Sequence, residues 1–167
     1  MSTTRSHRSF VSYIDKSREY YAAHGYDRPY RWATHDDVPF TPLAKPLSES
    51  RVGLVTTVFF PRGNEPEGVP TSPPKRPYAA PVDTAPGCTY TADLSWAKDE
   101  THTNDLNTYL PVDRLDAAVA AGRVGSASPR FYGVPTDYSQ RHTREDAADI
   151  ARWMAEDEVD VAVLVPL

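Results

Sequence analysis

Thr143-Arg144-Glu145-Asp146-Ala147-Ala148-Asp149-Ile150-Ala151-Arg152-Trp153-Met154-Ala155-Glu156-Asp157-Glu158 runs straight into Val159-Asp160-Val161-Ala162-Val163-Leu164-Val165-Pro166-Leu167, and the fold class turns on how these two halves are read. The first half predicts a helix starting at Thr143. Its hydroxyl can cap a first-turn N–H, and Glu145 and Asp146 place negative charge at the positive end of the helix dipole. Ala147, Ile150, Ala151 and Met154 recur at the spacing of one apolar face. The second half is apolar and β-branched except for Asp160, the pattern of a strand covered on both faces. A helix feeding such a strand is the second half of a βαβ unit, and in open parallel sheets chemistry sits just past the carboxyl ends of the strands.

Working outward, Arg51-Val52-Gly53-Leu54-Val55-Thr56-Thr57-Val58-Phe59-Phe60 is the other clear strand, apolar on both faces and bounded by Ser50 and Pro61. The two runs are expected to share a mostly parallel sheet. A helix is expected over Leu110–Gly122, with Pro111 in its first turn, Leu115, Ala118 and Val119 inward, and Gly122 as its cap. Residues 123–127 read as a short extended piece, and Phe131-Tyr132-Gly133-Val134-Pro135 as the way into a polar loop before Thr143. From Ser9 to Ala23 the period is helical, with Gly25 as the stop. Its aromatic face (Phe10, Tyr13, Tyr20, Tyr21) is expected to pack on a core, the alternative being a docking surface for another subunit. Residues 26–50, with Pro29, Pro39, Pro42 and Pro46, read as loop.

The chain has sixteen prolines against eight glycines, and eight of the prolines fall between Pro61 and Pro86. Residues 61–88 are therefore read as a long Pro-rich loop or insertion, functional or disordered, inside a single incomplete α/β domain spanning 1–167. The net charge of −5 and pI near 5.5 argue against a surface built for nucleic acid or anionic membranes. No apolar run approaches the ~20 residues that cross a bilayer. The N-terminus lacks the apolar core of a secretory signal, and a single cysteine, Cys88, excludes an internal disulfide. These features point to a cytoplasmic location.

Reactive groups concentrate between Cys88 and Asn107: Asp93, Asp99, Glu100, His102, Asp105 and Asn107. His102-Thr103-Asn104-Asp105 can bring an imidazole and a carboxylate together, as acid–base work or metal binding requires, and a solvated or helix-capping role explains the same residues. Two or three ligands do not close a metal site, at His102 or at His35-Asp36-Asp37. Pro61-Arg62-Gly63-Asn64-Glu65-Pro66-Glu67-Gly68 lacks the glycine spacing of a nucleotide loop. Ser126, in Gly125-Ser126-Ala127, lacks the second glycine of a nucleophile elbow. No catalytic constellation, cofactor site or metal site is assigned within the chain.

Several segments resemble the selenoprotein B family of the glycine, sarcosine, betaine and D-proline reductases. They are Asp105-Leu106-Asn107, Leu110-Pro111-Val112-Asp113-Arg114-Leu115, Gly122-Arg123-Val124-Gly125-Ser126, Pro129-Arg130-Phe131-Tyr132-Gly133 and the terminal run Val159–Leu167. Phe10-Val11-Ser12-Tyr13-Ile14-Asp15 and Pro39-Phe40-Thr41-Pro42-Leu43 are similar to divergent aerobic-type members. The resemblance implies an incomplete Rossmann-like α/β fold and a reductase that cleaves a C–N or similar bond of a small amino-acid-like substrate. It also implies partner subunits, one carrying a pyruvoyl group, and a thiol reductant. In that family the strand matching 159–165 runs into a loop bearing selenocysteine or cysteine, which this sequence lacks. The expectation is that Leu167 precedes a recoded UGA, with a genuinely short protein or a degenerate gene copy as the alternative. The chain alone is then inactive, with His102 and Asp105 as candidates to line the substrate side.

Two further expectations stand beside this one. A small α/β binding module would use the aromatic N-terminal face and Ser72-Pro73-Pro74-Lys75-Arg76-Pro77-Tyr78 as a polyproline ligand. A metal-dependent hydrolase would need ligands converging on His102. Whatever the function, leaving Val161, Val163, Leu164 and Val165 partly exposed forfeits ~1.5–3 kcal/mol per side chain. It also presents an apolar edge, so a poorly soluble or oligomeric chain is expected.

Overall fold

The computed structural model describes residues 13–26, 28, 36–37, 41–59, 76–85, 87, 100, 102–134, 136 and 139–166. The chain divides into two compact units, Met1–Pro39 and Phe40–Leu167. In the first, α1 spans Tyr13–Ala23 and ends where expected. Gly25, at φ +81, takes the left-handed position, and the N–H of Tyr26 closes on the carbonyl of Tyr21 at 3.0 Å while that of Gly25 reaches Ala22 at 3.1 Å. Tyr20 and Tyr21 are exposed rather than packed, and Tyr20 stacks on His24 with centroids 4.3 Å apart.

The second unit is an α/β arrangement. With α1, the described residues hold five strands and four helices, and the sheet is mixed. β1 (Arg51–Thr56) lies at its centre. β5 (Val161–Val165) runs parallel along one side of it, from Val52↔Val161 to Thr56↔Val165. The other side is shared in tandem by two parallel pieces, β3 (Ser126–Ala127) and β4 (Arg130–Gly133), with Pro129 between them. β2 (Tyr78–Pro81) pairs antiparallel with β4, Tyr78↔Gly133 through Pro81↔Arg130.

β2 and β4 correct the sequence reading, which puts both in loop. Pro77 precedes β2, and Pro81 ends it on the outer edge of the sheet, where a missing N–H costs no ladder bond. Phe131 and Tyr132 are 1% and 0% exposed, so the short Phe-Tyr pair is central core. The five residues between Pro129 and Pro135 and the three between Pro77 and Pro81 are too few to show a period. Part of the 61–88 stretch is thus strand and a short 3-10 turn at Val82–Thr84. Residues 61–75, 86 and 88 lie outside the described residues.

Strand alternation sorts the core into two layers. Leu54, Phe131, Tyr78 and Ala80 face α2 (Leu106–Tyr109) and α3 (Val112–Ala120) through Leu110 and Val112. Val55 and Tyr132 face α4 (Gln140–Glu156) through Ile150, with Trp153 and Met154 at the margin. α3 ends as expected: Gly122 sits at φ +68, with Arg123 N bonded to Ala118 O at 3.0 Å. α4 starts a turn earlier than expected. Ser139, not Thr143, is the cap, accepting from His142 N, and Thr143 donates its hydroxyl to Ser139 O at 3.1 Å. Ala147 and Ala151 face solvent, so the buried stripe runs through Ile150, Trp153 and Met154.

β5 also departs from expectation. Its sequence predicts cover on both faces, yet Val163 is 42% and Leu164 71% exposed. Val163 lies beside Leu54 and Leu164 beside Val55, one on each face. The two core layers of the described residues hold side chains of β1 and β4, and none of β5.

Candidate functional site at the carboxyl edge of the sheet

β1, β4 and β5 are co-directional, so their carboxyl ends share one edge. There the chain after β1 turns inward. Val58 and Phe59 are 1% and 3% exposed. Thr56 ties three segments together. Its carbonyl accepts from Val134 N at 2.8 Å, and its hydroxyl donates to Tyr109 O at 2.7 Å and accepts from Val58 N at 3.4 Å. Tyr78 donates its hydroxyl to Val58 O at 2.6 Å. Burial pushes the Tyr78 phenol far above its ordinary value, so it stays a neutral donor. Its ring lies across Gly133, where any β-carbon would collide with it.

Tyr109 links this edge to the sequence-predicted residues. Its hydroxyl donates to His102 O at 3.3 Å, and α2, which it ends, is capped by Asp105. His102 and Asp105 thus sit on one arm anchored at the carboxyl end of β1. Their side chains serve that arm itself. Asp105 accepts from Asn107 N at 3.1 Å and from the Thr108 hydroxyl at 3.1 Å, while His102 Nδ1 accepts from Asn104 N at 3.3 Å. Both are exposed. The helix-capping reading of Asp105 is the one the geometry supports. Asn107 donates its side-chain amide to Asp113 at 2.7 Å, and its buried Oδ1 has no hydrogen-bond partner among the described residues.

Of the other sequence candidates, Asp93, Asp99, Cys88 and His35 lie outside the described residues; Asp36, Asp37 and Glu100 are exposed. Among the described residues, no three His, Cys, Asp or Glu side chains converge as metal ligands. An open groove of about 770 Å³ beside β2 is lined by Val82, Leu106 and Val112 together with Asp83, Asp113 and Asp116. Among the described residues, no helix is long and apolar enough to cross a membrane.

The densest polar cluster is not legible in the sequence and lies at the opposite, amino-terminal edge. Arg130 Nε donates to Asp157 Oδ2 at 2.7 Å, and the Tyr132 hydroxyl donates to the same oxygen at 2.6 Å. Ser128 and Tyr132 hydroxyls meet at 3.0 Å. Partial burial raises the Asp157 carboxyl, but Arg130 and Tyr132 more than reverse this and hold it below the usual carboxylate range. Burial first, then the bond to Asp157, pushes the Tyr132 phenol up to about 12. Ser128, Arg130 and Tyr132 share one face by the two-residue strand period, the one signal that could have grouped them. Arg51 adds a bond from its guanidinium to Asp157 O at 2.6 Å. The cluster fastens the end of α4 to the sheet.

Compared with known proteins, the chain matches no family model, no curated protein and no solved structure.

Proposed function

We propose that this chain is the amino-terminal portion of a reductase of the selenoprotein B type, built on a Rossmann-like, mostly parallel layer that it supplies in part. The reaction is reductive cleavage of a C–N or similar bond in a small amino-acid-like substrate. The nucleophile is a selenocysteine or cysteine carried on the segment after β5. It forms a bond to carbon as the C–N bond breaks and the amine leaves with a proton; thiols then supply two electrons and release the product. A selenol ionises more readily than a thiol, so more of it is nucleophilic at neutral pH. Other subunits, one with a pyruvoyl group, and a cytoplasmic thiol reductant complete the system on this reading.

The observation that carries the proposal is the direction of β5. It runs parallel to β1 and leads the chain toward the edge where Thr56, Tyr109 and the His102–Asp105 arm meet. That is the edge at which open α/β sheets place reacting groups. The resemblance of the terminal run to the strand that precedes the family's nucleophile supports the same reading. The test uses the native protein from its source, assayed for dithiol-dependent cleavage of small amine substrates before and after alkylation at mildly acidic pH. Activity abolished by alkylation, with the label on a residue just beyond β5, is expected. Activity indifferent to replacement of that residue contradicts the mechanism.

A second reading, a non-catalytic α/β interaction module, is favoured by one observation: His102 and Asp105 spend their side chains on local turns. A module of this kind folds and binds without any residue after β5, whereas the reductase depends on one.

A further inference from the structure

The outer edge of β5 carries an inference that does not rest on the reductase reading. Ser128 N reaches Val52 O, and Val134 N reaches Thr56 O, so these positions of β1 turn toward β3 and β4. By alternation Arg51, Gly53 and Val55 turn toward β5, and Asp160 N bonds to Arg51 O at 2.9 Å. In this register Val161, Val163 and Val165 direct their backbone groups to β1. Ala162 and Leu164 therefore point N–H and C=O away from it, where no strand pairs with them among the described residues.

The devices that normally blunt such an edge are absent between 161 and 165: no charge, no proline, no bulge. Val163 and Leu164 leave apolar surface on both faces. The strand is also complementary to itself. Antiparallel pairing about a twofold axis at Val163 sets Ala162 opposite Leu164 and Leu164 opposite Ala162, large against small, and Val161 opposite Val165. Each Ala162–Leu164 pair exchanges both backbone bonds, and Val163 meets its own copy in the closer, non-hydrogen-bonded position. Pro166, which has no N–H to give, falls opposite Asp160 beyond the last of these pairs. No like charges meet, because Asp160 is already engaged by Lys45 Nζ at 2.8 Å and Arg51 N at 2.7 Å.

We propose that β5 is a self-association edge: two copies of this chain join antiparallel through residues 161–165 and continue one sheet across a twofold axis. A twofold contact of this kind closes on itself and gives a dimer rather than a fibre.

The test combines light scattering with crosslinking on the 167-residue chain. The expected mass is twice 18.6 kDa, falling to one copy on dilution. Leu164→Lys, at a position 71% exposed and so tolerant of the change, is expected to be monomeric at every concentration, with the urea midpoint of the parent diluted to a monomer. In a Cys88→Ser background, Val163→Cys is expected to oxidise to a disulfide dimer, because its copy lies about 4.5 Å away between α-carbons. Ala162→Cys, whose copy is offset diagonally to about 7–8 Å, is not. A monomer at ~100 μM, roughly the range where weak interfaces still associate, overturns the proposal. So does an oligomer indifferent to Leu164→Lys, or a crosslink through Ala162→Cys in place of Val163→Cys.

Discussion

Tyr132→Phe tests the amino-edge cluster most sharply, because it removes one oxygen and leaves the packing of a 0% exposed ring in place. That oxygen donates to Asp157 at 2.6 Å and meets Ser128 at 3.0 Å. The Asp157 side chain is only 10% exposed, so solvent screens the bond little. A hydrogen bond to a charged group is worth ~1.5–3 kcal/mol, and Ser128 keeps a long bond from Arg130 N, so a loss of ~2 kcal/mol at pH 7 is expected. The acid dependence comes from the depressed carboxyl. The contribution of Asp157 is fully present above the unfolded aspartate value of ~3.9 and is lost as pH falls through its still lower folded value. The difference between the parent and Tyr132→Phe is therefore expected to be full at pH 7 and to shrink at the acid end. On the alkaline side the sign reverses. The phenol's raised value makes its contribution complete below the unfolded value of ~10 and lost as pH climbs through about 12. Urea unfolding of both proteins, at low concentration and at several pH values, measures this. A cost under ~0.5 kcal/mol at pH 7, well below that of a charged hydrogen bond, or one that stays constant down to the acid limit, refutes the assignment.

Tyr78→Phe, which loses a bond to the Val58 carbonyl, is expected to cost ~1 kcal/mol with no acid dependence of its own, measured in the same titration. Gly133→Ala drives a β-carbon into the Tyr78 ring and is expected to cost ~1–3 kcal/mol, with Tyr78→Leu recovering much of it in a double-mutant cycle. At Gly122 a β-carbon meets nothing, so Gly122→Ala isolates backbone strain at φ +68, and a loss of ~1–2 kcal/mol in thermal or urea unfolding is expected. Asp105→Ala removes the α2 cap and is expected to cost ~1 kcal/mol, while Asp105→Asn retains most of it; equal losses would count against capping.

The residues that announce themselves in the sequence are those whose pattern is local. β1 and β5 are apolar runs, so their existence and their sharing of one sheet are legible in the sequence, while their direct pairing is seen only in the structure. Gly25 and Gly122 end their helices because only glycine enters the left-handed region freely. The same closure ends α4, where Val159 N reaches Met154 O at 2.9 Å, but Glu158 occupies the left-handed position at φ 54 and gives no warning. β4 is hidden because two aromatic residues between prolines carry no period, and β2 because proline marks its segment as loop. The start of α4 is ambiguous because Ser139 and Thr143 are both good caps, and no local pattern ranks one above the other. At the candidate site, sequence proximity puts His102 and Asp105 on one arm, but each side chain bonds to its own turn rather than to the other. It cannot reveal that Thr56 and Tyr109 fasten that arm to the carboxyl edge, since the Thr56–Tyr109 bond spans 53 positions. The exposure of β5 is equally illegible, because an apolar strand reads the same whether or not a layer covers it.

The proposed function has β5 deliver a selenocysteine or cysteine to the carboxyl edge of the sheet. Reading the coding sequence across the Leu167 codon tests it most directly. The account predicts an in-frame UGA followed by a continuing frame with an early cysteine codon, or a cysteine codon in the UGA position. A UAA or UAG at that point, or a continuing frame whose first residues include neither, contradicts it.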